Sequence, residues 1–226
     1  MALYLNSPEW FAGIDSSIEF LSLIVALLVS WYAYKVYRLS GERKYKHFAI
    51  AFILAGVAYI FKILSQIIIY EKELVLQRIG PFLVSRTVLE PVTWLHTYSY
   101  TIFSLLMLFF MLLLIIVTFR IKDKPTLILL TYFIVVLTLA SSRAQGLLHI
   151  TLALMAALLV FHFYTNYDRH KTRQALFVTL AFLGILFSHI VMIFMVYDPK
   201  IYVAGEALQL AGFLSLMYAF ILVRKK

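Results

Sequence analysis

The stretch FSLLMLFFMLLLIIVTF, Phe103–Phe119, decides the fold class. It carries no charge, and Ser104 and Thr118 are its only polar side chains. Taken back to Val92, it exceeds the roughly 20 apolar residues that a helix rising ~1.5 Å per residue needs to cross a ~30 Å hydrocarbon core. Backbone groups in lipid have no water to bond, so such a run satisfies them within itself as a helix.

Working outward, the same reading places further spans at Ser17–Tyr37, Lys46–Tyr70, Thr126–Ser141, Leu147–Tyr167, Arg173–Val196 and Tyr202–Val223, with Val92–Phe119 as the third. Composition agrees: 63% of the 226 residues are hydrophobic and 14% charged, against about 45–50% and about 25% in a soluble domain. The expectation is an all-α integral membrane protein, one seven-transmembrane-helix bundle over residues 1–226. Pro8, Pro81, Pro91, Pro125 and Pro199 all lie outside the spans or at an edge. Pro91 and Pro125 stand at helix starts, where a missing N–H removes no helical bond. Asp15, Ser16, Ser17 and Glu19 offer capping groups for the first span.

The formal net charge is +9, a balance that can signal nucleic acid or anionic surfaces. Its distribution points elsewhere. Lys35, Arg38, Arg43, Lys44 and Lys46 surround the first loop, Arg120, Lys122 and Lys124 the third, Arg169, Lys171 and Arg173 the fifth, and Arg224, Lys225 and Lys226 form the tail. The opposite side holds Lys72, Arg78, Arg86, Arg143 and Lys200, together with most of the acids. Basic loops stay in the cytoplasm, so the expected topology is N-terminus outside and C-terminus inside, multi-pass in the cell (plasma) membrane. The expected surroundings are a lipid bilayer with no nucleic-acid partner, and the basic loops are the place for a cytoplasmic or membrane protein partner. The chain has no cysteine, which removes disulfides, thiolate metal sites and Cys nucleophiles. Its first residues show Asn6, Pro8, Glu9 and Asp15 in place of a basic n-region, so the first span is expected to act as its own insertion signal.

The one long connection, Glu71 to Glu90, includes the apolar patch Ile79–Val84 and reads as a short surface helix or a lid. Trp10 and Phe11 read as interfacial. A weak internal repeat is visible: Ala26-Leu27-Leu28-Val29 matches Ala157-Leu158-Leu159-Val160, and Phe52–Gly56 matches Leu180–Gly184. If real, it gives three helices, a linker helix and three more in the same orientation, a parallel repeat.

Charges within a membrane cost at least about 2.5–3.5 kcal/mol each and are functional suspects. Lys62 and Glu206 stand out. Tyr59, Ser65 and Gln66 share the face of Lys62, and Tyr202, Gln209 and Phe213 that of Glu206. His96, Ser99 and Tyr100 open the third span, His149 opens the fifth, and Ser188 and His189 lie in the sixth. Lys62 and His189 each lie about eight residues, or ~12 Å, from the outer end of their spans. The polar groups therefore gather in the outer half, and two readings stand. One is an outward-facing cup whose ligand-binding candidates are Lys62, Ser65, Gln66, His96, Tyr100, His149, His189, Glu206 and Gln209. The other is a structural ion pair between Lys62 and Glu206 with histidines bonded inside the bundle. His96, His149, His189 and Glu206 are weak metal candidates by ligand type, without HxxxH or HxxE spacing. His149 and His162 are thirteen apart on one helix, which turns them ~140° from each other and argues against two stacked haems; no cofactor is expected. Ala207, Ala211 and Ser215 recur every fourth residue beside Gly212 and suggest close helix packing. There is no nucleophile–base pair, no paired acids and no dense metal motif, so an enzyme is not expected.

The segment Trp31-Tyr32-Ala33-Tyr34-Lys35-Val36-Tyr37-Arg38, running into Gly41-Glu42-Arg43-Lys44-Tyr45 and Phe48, resembles small uncharacterised seven-helix proteins from archaea, a likeness that implies the fold and no activity. In topology the chain also resembles microbial rhodopsins, seven-helix receptors and SWEET-type transporters. The rhodopsin likeness implies a retinal-bearing lysine in the seventh helix, where this chain has Leu210-Ala211-Gly212-Phe213; the SWEET likeness implies prolines within the helices, which it lacks. The expectation is a receptor-like or sensory membrane protein binding a small ligand, with a small-solute transporter or a non-catalytic subunit or scaffold as alternatives.

Overall fold

The computed structural model describes residue 11 and residues 13–66, 70–79, 82–91, 93–141, 144–198 and 200–224; from 70 to 95 it describes the backbone alone, as it does at 196, 223 and 224. Among the described residues, seven helices are long and apolar enough to cross a membrane. They are α1 (Ile14–Ser40), α2 (Arg43–Gln66), α3 (Thr93–Phe119), α4 (Lys124–Ser141), α5 (Gln145–His170), α6 (Arg173–Ile193) and α7 (Lys200–Arg224). A short 3-10 turn, Phe194–Val196, continues α6.

Local chemistry sets the ends. Gly41 takes a left-handed conformation, φ 71°, and its N–H donates to the carbonyl of Tyr37, the usual glycine stop. Lys171 does the same without glycine's freedom, at φ 48°, donating to the Tyr167 carbonyl, and Thr172 then accepts from the N–H of Ala175 to start α6. The Asp123 carboxylate accepts from the N–H and hydroxyl of Thr126 at the start of α4. Those bonds hold Asp123 below the usual carboxylate range. At α1 the cap differs from the sequence expectation. Asp15 accepts from the N–H groups of Gly13 and Ser16, whereas Glu19 caps nothing and turns inward.

The connection after α2 is neither a surface helix nor a continuation of the second span. It is an antiparallel hairpin of β1 (Tyr70–Ile79) and β2 (Phe82–Pro91), paired from Tyr70↔Pro91 to Ile79↔Phe82. Ile67, Ile68, Ile69 and Gly80 lie outside the described residues, as do Trp10, Pro8, Pro81, Arg143, Pro199, Lys225 and Lys226. Phe11 is buried, not interfacial: its ring stands edge-on to Tyr202 at 6.3 Å, with Met195 beside them.

The packing order is a closed ring. α1 packs on α2, α2 on α3, α3 on α5, α5 on α6, α6 on α7, and α7 returns to α1. Only α4 stands outside, against α3 and α5, and 17% of its span is buried against 33–44% for the other six. That is the three–one–three plan: α3 against α5 in one place answers α7 against α1 in the other. The residue-level likeness does not follow it. Gly56 faces Leu23 and Leu27 of α1, the first helix of its half, whereas Gly184 faces the backbone of Gly212 on α7, the last helix of its half.

Aromatic contacts fill the ring's interior. Phe52 meets Phe110 edge-on at 5.1 Å, and Phe163 stacks on Phe182 at 4.8 Å. The α6–α7 seam is closest at glycine: a Cβ on Gly212 would stand 2.8 Å from the Ala181 carbonyl oxygen. The small residues that matter on α7 are therefore Gly205 and Gly212, both buried. Ala207 and Ala211 face outward, and only Ser215 of that stripe bonds α6, through the Phe177 carbonyl. Large apolar side chains such as Ile128, Leu154 and Phe161 are exposed on the outer surface, as a lipid-facing exterior requires.

Candidate functional site

Each of the six ring helices brings polar side chains to one layer near the hairpin end of the bundle. Lys62 lies about one helical turn before Gln66, the last described residue of α2. His189 lies as close to the end of α6.

The centre of the layer is a three-helix ion network. The Lys62 ammonium contacts Glu206 Oε1 of α7 at 2.5 Å and Glu19 Oε1 of α1 at 2.9 Å. The side chains of Glu19 and Glu206 are 0% and 2% exposed, and that of Lys62 is 11% exposed. Gln66 reinforces it: its amide donates to Glu19 Oε1 at 2.7 Å and to the Tyr202 hydroxyl at 3.0 Å, and its carbonyl accepts from Ser16 at 3.1 Å. The second carboxylate oxygen of Glu19 is buried without a hydrogen-bond partner among the described residues. Rings flank the ammonium, Phe103 at 5.7 Å and Tyr202 at 5.9 Å from their centroids.

The other expected residues fall into separate contacts. Ser65 donates to the Lys62 carbonyl, and the Ser65 carbonyl meets His96 Nδ1 at 2.7 Å, tying α3 to α2. The ring of Tyr100 stacks near that of His96, with centroids 6.2 Å apart. Gln209 donates to the Tyr59 hydroxyl at 2.9 Å, a buried link between α7 and α2. His149 and His189 face one another with their Nδ1 atoms 3.4 Å apart, one ring offering its N–H to the other. Nε2 of His189 and the hydroxyl of Ser188 are buried without partners among the described residues.

Two expectations change. Lys62 and Glu206 touch, so the layer is drawn shut at its centre and is not an open cup there. The four metal candidates do not form a donor set: among the described residues no three of His, Cys, Asp or Glu come together to hold an ion. Glu206 is engaged by Lys62, His96 by the Ser65 carbonyl, and His149 and His189 are left as a pair. Glu19 is the residue the sequence reading missed as a partner of Lys62. Its signal was present: Asp15, Glu19, Ser22, Ala26 and Val29 recur at helical spacing on one buried face of α1.

The opposite end differs in kind. A groove of about 210 Å³ is lined by Phe119, Phe161, His162, Thr165, Asn166, Arg169 and His170, with His162 edge-on to Phe119 at 5.5 Å. It belongs to the basic-loop end.

Seven membrane-length helices, six of them closed around a buried ionic layer, define a multi-pass membrane protein in a lipid bilayer. No family model, curated protein or solved structure matches the chain.

Proposed function

We propose that this chain is a receptor-like, sensory membrane protein whose small-molecule site is the polar layer at the hairpin end. In this reading the layer faces outward, with the N-terminus outside the cell membrane and the C-terminus in the cytoplasm. The protein performs no catalysis of its own. The observation that carries the reading is the Lys62 ammonium shared between Glu19 of α1 and Glu206 of α7. Each of these charges is unfavourable in a membrane unless paired, so a ligand that competes for one of them changes how α1, α2 and α7 hold together. A ligand shifts a conformational equilibrium only by its differential affinity for the two states, and a shared ammonium supplies such a difference. The basic loop between α1 and α2 joins two of the three helices, and a partner docking there would receive the change.

The test is a thermal-shift screen of purified protein against a broad small-molecule collection. Compounds that stabilise the wild type and lose their effect in Glu206→Gln support the reading. If that variant folds and no compound shifts either protein, the reading loses its basis. A second reading, a small-solute transporter, is supported by the order of helix contacts, α3 on α5 and α7 on α1 with α4 outside, an order that a parallel repeat would share. It requires solute flux in proteoliposomes, and silence across a broad panel counts against it. A non-catalytic subunit or scaffold would instead copurify with a stoichiometric membrane partner.

A further inference from the structure

We infer that the layer's ligand is a small primary amine, bound as its ammonium in the place the Lys62 side chain now fills. The inference rests on the receptor reading and names the chemistry of the same site.

Two buried acidic side chains, Glu19 and Glu206, share one ammonium, and a third, Asp15, lies one turn before Glu19 on the same face of α1. An anionic ligand would bring like charge beside these acids in a low-dielectric site. A neutral one would leave them without a cation once Lys62 withdrew. A cation in the place of the Lys62 ammonium keeps one there.

The remaining surroundings suit an ammonium. Among the described residues nothing donates to the buried Glu19 Oε2, although a carboxylate oxygen offers two lone pairs. The Tyr202 and Phe103 rings stand within the distance at which aromatic faces attract a cation. The Lys62 ammonium shows the fit directly: its N–H groups reach carboxylates on two helices at once. A primary amine carries the same three donors, and a quaternary ammonium carries none.

Access and release follow from position. Of the three charged side chains, only that of Lys62 keeps appreciable exposure, so an entering amine meets it first. Lys62 is about one turn from the end of α2, and a displaced lysine can extend its four-carbon stem to carry its charge to the interface. Exchanging a tethered ammonium for a free one keeps Glu19 and Glu206 paired and frees α2 from Glu206, leaving Gln66 as its bond to Glu19.

The experiment uses the full chain in lipid nanodiscs. Lys62→Ala removes the tethered ammonium, and its melting temperature is followed during titration with n-propylammonium. Tetramethylammonium and sodium chloride at equal ionic strength serve as controls. A saturable rise is expected, half-complete at roughly tenfold lower concentration than any tetramethylammonium effect, and absent once Glu206→Gln is added. An equal response to all three salts, or a rise that survives Glu206→Gln, overturns the inference. So does recovery by acidification alone, which would make the missing cation a proton. If Lys62→Ala does not fold, Lys62→Met replaces it. If neither folds, the same titration on the wild type must show the same preference for the primary amine, and its absence overturns the inference. A neutral or anionic compound acting through Glu206, with amines silent, would remove the ammonium and leave the receptor reading standing. Silence from every class removes both.

Discussion

The two ends of the bundle are held together by different physics. At the hairpin end, charges and amides cross between helices: Lys62 to Glu19 and Glu206, Gln66 to Glu19, Gln209 to Tyr59 and His149 to His189. Towards the basic loops the buried hydroxyls mostly bond backbone carbonyls, as Ser30 bonds Ala49 on α2 and Thr179 bonds Ala175 within α6. There the contact surface is aromatic rings, with the bare backbone of Gly184 and Gly212 meeting at mid-span. Lipid tails are as apolar as any leucine, so burying leucine does not by itself pull two membrane helices together. The basic end must rely on shape, and the hairpin end can rely on polar bonds. A contact made by shape tolerates little change in volume, whereas one made by charge can be exchanged for another of the same sign. That is why the proposed ligand site lies at the hairpin end.

The comparison breaks first at Lys62. Removing one partner of a buried ion network leaves uncompensated charge and typically loses about 3–5 kcal/mol. Lys62→Ala without added amine should fall in that range by thermal or denaturant unfolding in detergent, and a loss below about 1 kcal/mol would show that the charges do not hold the hairpin end. Next comes the shape-held seam. Gly212→Ala places a methyl group 2.8 Å from the Ala181 carbonyl oxygen. It should lose roughly 1–3 kcal/mol by overpacking, with no change in any ligand response. Tyr59→Phe leaves the Gln209 amide without its acceptor and should lose about 0.6 and at most about 1.7 kcal/mol. A larger value would mean that the Tyr59–Gln209 link is part of the ionic network.

The smallest effect is expected at the basic end, at Asp123. Thr126 holds this exposed carboxylate below its usual range, so its stabilising contribution is complete above the ordinary carboxylate range. It is lost as pH falls through the lowered value. Asp123→Asn should therefore lower the melting temperature slightly at neutral pH and flatten its acid dependence. An unchanged acid limb would show that the Thr126 cap contributes nothing.

The sequence carried most of the fold and part of the site. Phe103–Phe119 could be nothing but a span, and the stripe Tyr59, Lys62, Ser65 and Gln66 marked one face of α2 because helical spacing is local. The hairpin was hidden by the apolar patch around Gly80-Pro81, which reads equally as a surface helix. Glu19 was hidden by its position near a helix start, where an acid has an ordinary capping role.

What the residues determined alone is the membrane, the number of crossings and the layer at which polarity collects, because each depends on length and composition within a single segment. What the tertiary structure decided is partnership. Glu19 meets Lys62 only because α1 lies between α2 and α7. His149 meets His189 only because α5 lies on α6. Polar atoms in lipid must find partners across helices, and which helix stands opposite is not written in any one of them.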